Sequence, residues 1–257
     1  MNIRPIVTRE LRSYLTSPSI FVAVAAFLFL SGFLFYGTMS NYADLSANAE
    51  YRRQMGFEVL NYTKHVVGQV FFAINLLLVF IIPILTMRLI AEERKSGTFE
   101  VLRSLPFSDW DIVLAKFTAC FLLTLILVAL NSYQILVMLR FGSTEFLVIL
   151  VATLGMILTA AAYVSIGLFA SSLTESQITA AIIACVALLA LWLIGDIGSI
   201  GSMSILNRIA QGLSLRIHSE TFSRGVLRID DVAYFVLITY SFLFMTVRSL
   251  ELNRNKI

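Results

Sequence analysis

Few side chains in this sequence are placed to perform covalent or metal chemistry. The two histidines, His65 and His218, have no Cys, Asp or Glu at metal-ligand spacing, and Asp230-Asp231 is not followed by another acid at prenyltransferase spacing. No Gly-x-Ser-x-Gly nucleophile motif occurs. The dipeptide Gly-Lys is absent, so there is no phosphate-binding Walker loop. The sequence therefore predicts no catalytic and no metal-binding residues, and any ATP hydrolysis must occur in another chain.

Side chains able to form ion pairs with a partner are concentrated between Arg88 and Lys116. This stretch separates two runs without charged residues, 66–87 and 117–139, and each exceeds the roughly 20 residues that cross a bilayer. It is therefore predicted to be a loop between two membrane helices. The residues expected to contact a partner here are Glu92, Glu93, Arg94, Gly97, Thr98, Phe99, Glu100, Leu102, Arg103 and Pro106.

Residues 96–106 of this loop are predicted to form a short helix. Ser96-Gly97-Thr98 ends the preceding helix and offers hydroxyl caps for the next, which Pro106 ends. Glu100 near its start and Arg103 near its end suit the helix dipole. One side would carry Phe99, Val101, Leu102 and Leu105. A helix this short is marginal alone in water, so it must dock, either on its own membrane domain or in a groove of a separate cytoplasmic protein.

Three amides lie inside the apolar runs and are the other candidate functional residues. Asn75 falls in one run, and Asn131 and Gln134 fall in the next. Burying such groups in lipid is costly, so they must face a polar partner. They either line a substrate path or form hydrogen bonds between helices that hold the bundle together.

The composition is that of an integral membrane protein. Hydrophobic residues make up 58% of the 257-residue chain and charged residues only 14%, whereas soluble domains carry about 25% charged residues. The net charge of +3 is modest and the basic residues lie at membrane borders, so nucleic acid is not an expected partner. Cys120 and Cys185 both fall in apolar runs and are expected to be buried free thiols.

The apolar runs predict an all-α fold with six membrane spans. Their expected bounds are 20–40, 66–89, 112–139, 146–170, 178–195 and 232–247. The first run is too long for a signal-peptide core and is expected to be retained. An even number of spans puts both termini on one side, which holds eleven of the Lys and Arg residues against eight on the other. Both termini are therefore expected in the cytoplasm.

Two segments outside the spans are expected to touch the membrane. Residues 4–16 have an apolar side at helical spacing, with Arg9 and Arg12 elsewhere, and Ser17-Pro18 follows. Such a helix lies in the membrane interface. Residues 196–231 contain another apolar side, which belongs either to a partly embedded helix capping an outer vestibule or to a helix lying flat on the outer surface.

The charged loop also resembles a known family. The pattern Arg-x-x-Gly-Thr-x-Glu-x-Leu at 94–102, followed by Pro106 and the run 109–117 with Lys116, resembles the first cytoplasmic loop of ABC-2 type transporter permeases. The strings at 167–178 and 224–235 are similar to the gliding-motility-associated branch of these permeases. With them the resemblance extends over nearly the whole chain.

The resemblance implies a function and its partners. Residues 96–106 would be a coupling helix in a cleft of a separate cytoplasmic ATPase, which would bind ATP and Mg²⁺, with no cofactor in this chain. Residues 4–16 would be an elbow helix, and 196–231 would include re-entrant helices. A homodimer of permeases in a bacterial inner membrane would sit over two ATPases, with a possible extracytoplasmic accessory subunit.

Two classes of function remain open at this point. The expected function is the permease subunit of an ATP-driven exporter. The alternative is a mechanotransmitting or scaffolding subunit that uses the ATPase to act on an extracytoplasmic partner and moves no solute. A polar-lined cavity between two permease copies would favour transport, whereas a dry interface would favour mechanotransmission.

Overall fold

The structure is a computed structural model that describes residues 3–48, 53, 61–98, 108–141, 145–197 and 204–254. In this part of the chain it is helical with no β-strand, and six helical segments are long and apolar enough to cross a membrane. The predicted all-α fold with six candidate spans is confirmed. The expected helix at 96–106 falls largely outside the described residues.

The chain begins with two helices separated by a sharp break. Helix α1 (Arg4–Thr16) has a proline in its first turn, where no backbone N–H is needed. Ser17 is extended, as a residue before proline tends to be, and Pro18 begins α2 (Pro18–Ala47), the first candidate span. The break lets α1 turn away from α2 and pack mainly against the third span.

The second span, expected at 66–89, ends at a turn that begins at residue 87. A π-helical turn (Thr63–Val67) leads into α3 (Gly68–Thr86), which contains Pro83. A turn at 87–90 then separates α3 from the short α4 (Ala91–Lys95). Proline removes one backbone donor from the helix, and α3 ends within one turn of it.

The remaining helices complete the bundle. The third span comprises α5 (Asp109–Leu130) and α6 (Ser132–Phe141), which meet at Asn131. The fourth and fifth spans are α7 (Phe146–Ser172) and α8 (Gln177–Ile197). Two short helices, α9 (Ser204–Leu213) and α10 (Leu215–Ser223), precede the sixth span, α11 (Ile229–Arg254).

Helix α7 is the centre of the bundle. It packs against α3, α5, α8, α10 and α11, and nearly all of its second half is buried. Small residues let neighbours approach closely. A Cβ atom built on Gly155 would lie 2.2 Å from Phe222 Cβ in α10, and one on Gly167 would lie 2.3 Å from Thr86 Oγ1 in α3. Close approach through small residues is how membrane helices gain packing energy.

The bundle has two ends. One end, which we call the terminal end, carries α1, α4, the start of α5, the last turn of α7 and the last turns of α11. There Ser249 Oγ of α11 donates to Ser172 O of α7 at 3.4 Å. The far end carries the start of α3, α9, α10 and the start of α11. There Tyr42 and Tyr62 rings meet edge-to-face, with centroids 5.1 Å apart.

Helix α10 reaches well below the far end of α7. Phe222, which is 1% exposed, lies on Gly155, nine residues into α7 and therefore about 13 Å along its axis. At the other end of α10, Ser214 caps the helix by accepting from Ile217 N, and it packs on Gly195 of α8. The expectation that part of residues 196–231 enters the membrane stays a prediction.

The close contact at Gly155 gives a direct test of this packing. Gly155→Ala is expected to destabilise the protein, because overpacking costs about 1–3 kcal/mol and exceeds the gain of about 1 kcal/mol from higher helix propensity. The matched control is Gly37→Ala in α2, where an added Cβ meets nothing within 4 Å and only the propensity gain applies. Melting temperatures of the purified variants test this; equal shifts for both would contradict the placement of α10.

Candidate coupling site

The turn after α3 is held in place by one serine of the central helix. Ser171 Oγ accepts from the backbone N–H groups of Ile90 and Ala91, each at 3.1 Å, and donates to Met87 O at 3.2 Å. Ser171 and Ile90 are fully buried. Because the first N–H groups of a helix lack partners within it, this hydroxyl acts as an external cap for α4.

Helix α4 ends as the sequence predicts. Gly97 has φ of +71°, the left-handed conformation that glycine adopts without steric cost, and its N–H donates to Arg94 O at 3.1 Å. Ser96 and Thr98 hydroxyls lie 2.8 Å apart beside it. Glu92 and Lys95 are exposed and Arg94 is half-buried. Phe99, Glu100, Leu102, Arg103 and Pro106 lie outside the described residues.

A network of four charged side chains lies on the inner side of α4. Arg9 Nη2 donates to Glu93 Oε1 at 2.9 Å, and Glu93 Oε2 lies 2.8 Å from Lys116 Nζ. Lys116 Nζ also donates to Glu10 Oε1 at 2.9 Å. The order Arg9–Glu93–Lys116–Glu10 alternates in sign, and its net charge is zero. It joins α1, α4 and α5 directly, and we refer to it as the terminal-end network.

Burial makes the ion pairs of this network necessary for the stability of the fold. The Lys116 side chain is 1% exposed, and those of Glu93 and Glu10 are 10% and 13% exposed. Isolated buried charges carry a desolvation cost of several kcal/mol, so each of these three needs its partners. Arg9, 58% exposed, forms the outer edge of the network.

The network corrects one sequence expectation and adds residues that the sequence did not single out. Glu93 was expected to be available for ion pairs with a partner, but its carboxylate is occupied within the chain. Glu10 and Arg9 were not expected at the site, since they lie more than eighty residues from Glu93 and Lys116 along the chain. The available signal was Lys116, a lysine within a predicted span, which requires a buried counter-charge.

Hydrogen bonds also join α1 and the start of α2 to the end of the second span. Tyr14 OH donates to Leu85 O at 3.0 Å beside Pro83, and burial, with the neighbouring Cys120 and Glu10 as smaller causes, raises the pKa of the Tyr14 phenol well above its usual value. The phenol is therefore protonated and able to donate. Arg88 donates to Ser17 Oγ at 2.7 Å and to Ser19 Oγ at 3.3 Å across the break between α1 and α2.

A cleft of about 250 Å³ lies between α1 and the segment 88–98. Its walls include Arg9, Glu10, Arg88, Glu92 and Thr98. Both signs of charge line it, and it reaches the last described residue before 99–107. Together, α1 and α4 form one charged surface at the terminal end.

The three amides predicted inside the spans are buried, and two of them interact. Asn131 Oδ1 accepts from Ser31 Oγ of α2 at 2.8 Å and from Gln134 Nε2 at 3.1 Å. Asn131 is 2% exposed and Gln134 is 1% exposed. The cavity beside them measures about 10 Å³, room for about one water molecule. Asn75 is 5% exposed, and its Oδ1 has no donor among the described residues.

His218 has an acidic partner that its sequence spacing did not reveal. Its Nδ1 lies 2.5 Å from Asp231 Oδ1 and its Nε2 lies 3.2 Å from Gly212 O, while its ring stacks on Tyr234 at 3.9 Å. These contacts join α9, α10 and the start of α11. No group of three or more His, Cys, Asp or Glu residues able to hold a metal occurs in the described ranges.

Comparison with known proteins identifies one family. The model of the family described as ABC-2 family transporter protein matches residues 4–246, which is nearly the whole chain and ends within α11. A search of curated proteins found no match.

The terminal-end network predicts a large effect from one substitution. Lys116→Met leaves Glu10 and Glu93 as buried carboxylates without their shared cation, so it is expected to lower the free energy of unfolding by about 3–5 kcal/mol. Lys95→Met, on the exposed side of α4, is the matched control and should have little effect. Chemical unfolding of the purified variants measures both.

A further variant separates charge from packing. Adding Glu93→Gln and Glu10→Gln to Lys116→Met removes the unpaired charges and is expected to restore much of the lost stability. If Lys116→Met lowers the free energy of unfolding no more than Lys95→Met does, the network does not stabilise the fold.

Proposed function

Because the chain belongs to the ABC-2 transporter family, we propose that this multi-pass membrane protein is the permease subunit of an ATP-driven exporter, coupled to a separate cytoplasmic ATPase. ATP and Mg²⁺ would be bound by that ATPase. The chain's own part is mechanical: it receives a displacement at the terminal end and converts it into movement of the spans. No covalent step is assigned to its residues.

The observation that carries the proposal is the attachment of the segment 87–98 to four other elements. Ser171 holds its turn on α7, Glu93 joins it to α1 and α5, and Arg88 joins it to the start of α2. A force applied to this segment would therefore act on four spans together. Such attachment is what a coupling element requires, and a loop that only connects two spans does not need it.

The surface offered to the ATPase follows from the same geometry. Glu92 and Lys95 are exposed on α4, beside the expected coupling helix at 96–106. Glu93 faces inward and holds the segment to its own chain. We therefore assign partner contact to Glu92 and Lys95 and anchoring to Glu93, whereas Arg94 is half-buried with its Nη2 inside the protein and is assigned neither role.

In this proposal both termini lie in the cytoplasm and the membrane is the bacterial inner membrane. Two copies of the chain sit over two ATPases, and an accessory subunit joins at the far end, as the resemblance to gliding-motility-type permeases implies. The packing of Phe222 of α10 on Gly155 of α7 supports a capped far end. The cargo would cross between the two copies.

One observation favours the mechanotransmitting alternative. Within the described residues, the buried Asn131 accepts hydrogen bonds from Ser31 of α2 and from Gln134 of its own span, beside a cavity of only about 10 Å³. Asn131 therefore acts as an interhelical contact in one copy of the chain, and Gln134 supports it. A subunit that transmits force and moves no solute needs only such contacts.

The test is co-purification of the permease with its candidate ATPase. Phe99→Asp and Leu102→Asp each place a charge on the side expected to dock, so each should release the ATPase while the permease remains in the membrane. Leu227→Asp, an exposed leucine at the far end, is the matched control and should retain it. An ATPase that stays bound to both docking variants with unchanged hydrolysis would contradict coupling through this helix.

A further inference from the structure

A second cleft opens at the far end, between the start of the second span and α10. It measures about 300 Å³, and its lining residues include Lys64, Gln69, Phe72, Arg216, Glu220 and Arg224. We refer to it as the far-end cleft. Nothing in the coupling scheme uses it, and it lies at the opposite end of the bundle from the terminal-end network.

The charges around the far-end cleft do not cancel. Arg224 Nη2 lies 2.5 Å from Glu220 Oε1, and Arg216 pairs with Asp196 and, at 3.8 Å, with Glu220. Lys64 adds a cation with no ion pair among the described residues. Three cations therefore face two carboxylates, which leaves one net positive charge.

Arg216 has a further donor to offer. Its Nε is buried and has no acceptor in the part of the chain that the structure describes. Guanidinium groups bind phosphate and carboxylate oxygens through several N–H groups at once, more strongly than neutral donors do. The cleft thus holds the donors for a singly charged anion.

The inner part of the same region is aromatic. Phe72 and Trp192 rings lie 5.4 Å apart, and the Arg216 guanidinium lies 5.7 Å from the Trp192 ring centre. Phe72 is 40% exposed on the cleft side of α3. A cationic rim over aromatic side chains at a membrane border suits a molecule with one charged and one apolar part.

We propose that the far-end cleft binds the headgroup of a singly anionic lipid from the adjacent leaflet. Lys64, Arg216 and Arg224 contact its phosphodiester, and Phe72 contacts the glycerol and the first methylenes of its chains, with Trp192 packed behind Phe72. The proposal depends on the chain crossing a membrane and is independent of the ATPase, so it can fail while coupling holds.

Trp192 allows binding to be measured at the site itself. The chain has two tryptophans, so Trp110→Phe leaves Trp192 as the only indole. Trp110 stacks on Tyr240 and Phe244, which are not part of the far-end cleft. The full chain is purified in a neutral detergent, and Trp192 emission is followed as dioctanoyl phosphatidylglycerol is added. Dioctanoyl phosphatidylcholine and inorganic phosphate are the two comparison probes.

The expected result is a saturable change with phosphatidylglycerol that phosphatidylcholine does not produce, since its choline group cancels the negative charge. Inorganic phosphate should bind about tenfold more weakly or not at all, because it lacks the apolar part. Binding should also weaken as salt is added, because the rim cations are exposed to solvent. Equal responses to both lipids would overturn the proposal, and phosphate binding as tight as the lipid would overturn its lipid part.

Two substitutions test the assigned cations. Lys64→Gln and Arg224→Gln should each weaken phosphatidylglycerol binding about three- to tenfold, the range for losing one charge-assisted contact at a partly exposed site. Arg228→Gln is the matched control. Arg228 is exposed on the loop between α10 and α11 that also carries Arg224, and it is not among the residues that line the cleft. If Lys64→Gln and Arg224→Gln bind as the control does, the cleft is not a headgroup site. The lipid preference of the otherwise unaltered chain tests the proposal even if a variant fails to fold.

Discussion

Lys116 is an ammonium group with 1% of its side chain exposed, close to the border of a membrane span, and it needs carboxylates from elsewhere. Glu10 and Glu93 supply them from two other elements. Because both must reach the same nitrogen, α1 and α4 are fixed against α5 within hydrogen-bond distance. Lys116 balances only one of the two carboxylates, and Arg9 balances the other by pairing with Glu93 on the more exposed side. The positions of α1 and α4 both follow from this one requirement.

The central helix α7 provides the second fixed point. It has small residues, Gly155, Gly167 and Ser171, where neighbouring elements approach closely. Each of the three contacts a different element. Ser171 caps α4, Gly167 receives the last turn of α3, and Gly155 receives α10. A displacement of the segment 87–98 would thus act on α7 at one end, while α10 packs on the same helix at depth. This gives the two ends of the bundle a direct mechanical connection through one rigid helix.

Much of this arrangement could be predicted from the sequence because it depends on local pattern. The six spans follow from apolar runs, and the stop at Gly97 follows from the glycine that a left-handed helix end favours. The turn at 87–90 lies at the end of the expected span 66–89, but the contact that fixes it is made by Ser171, 81 residues away from Ile90, and could not be predicted from the sequence. The inward direction of Glu93 and the pairing of His218 with Asp231 likewise depend on tertiary neighbours, which spacing along the chain does not reveal.

The most direct measurement of rigid coupling is the distance between α1 and α4 during the ATP cycle. Spin labels at the exposed positions Arg12 and Ser96, the latter directly after α4, on a Cys185→Ser background with Cys120 left buried, report this distance by pulsed electron resonance in the complex with the ATPase. If the terminal-end network holds the two helices as one body, the distance distribution keeps its centre and width when ATP is added, and it broadens in Lys116→Met. A clear shift on ATP addition with the network intact would contradict rigid coupling of α1, α4 and α5.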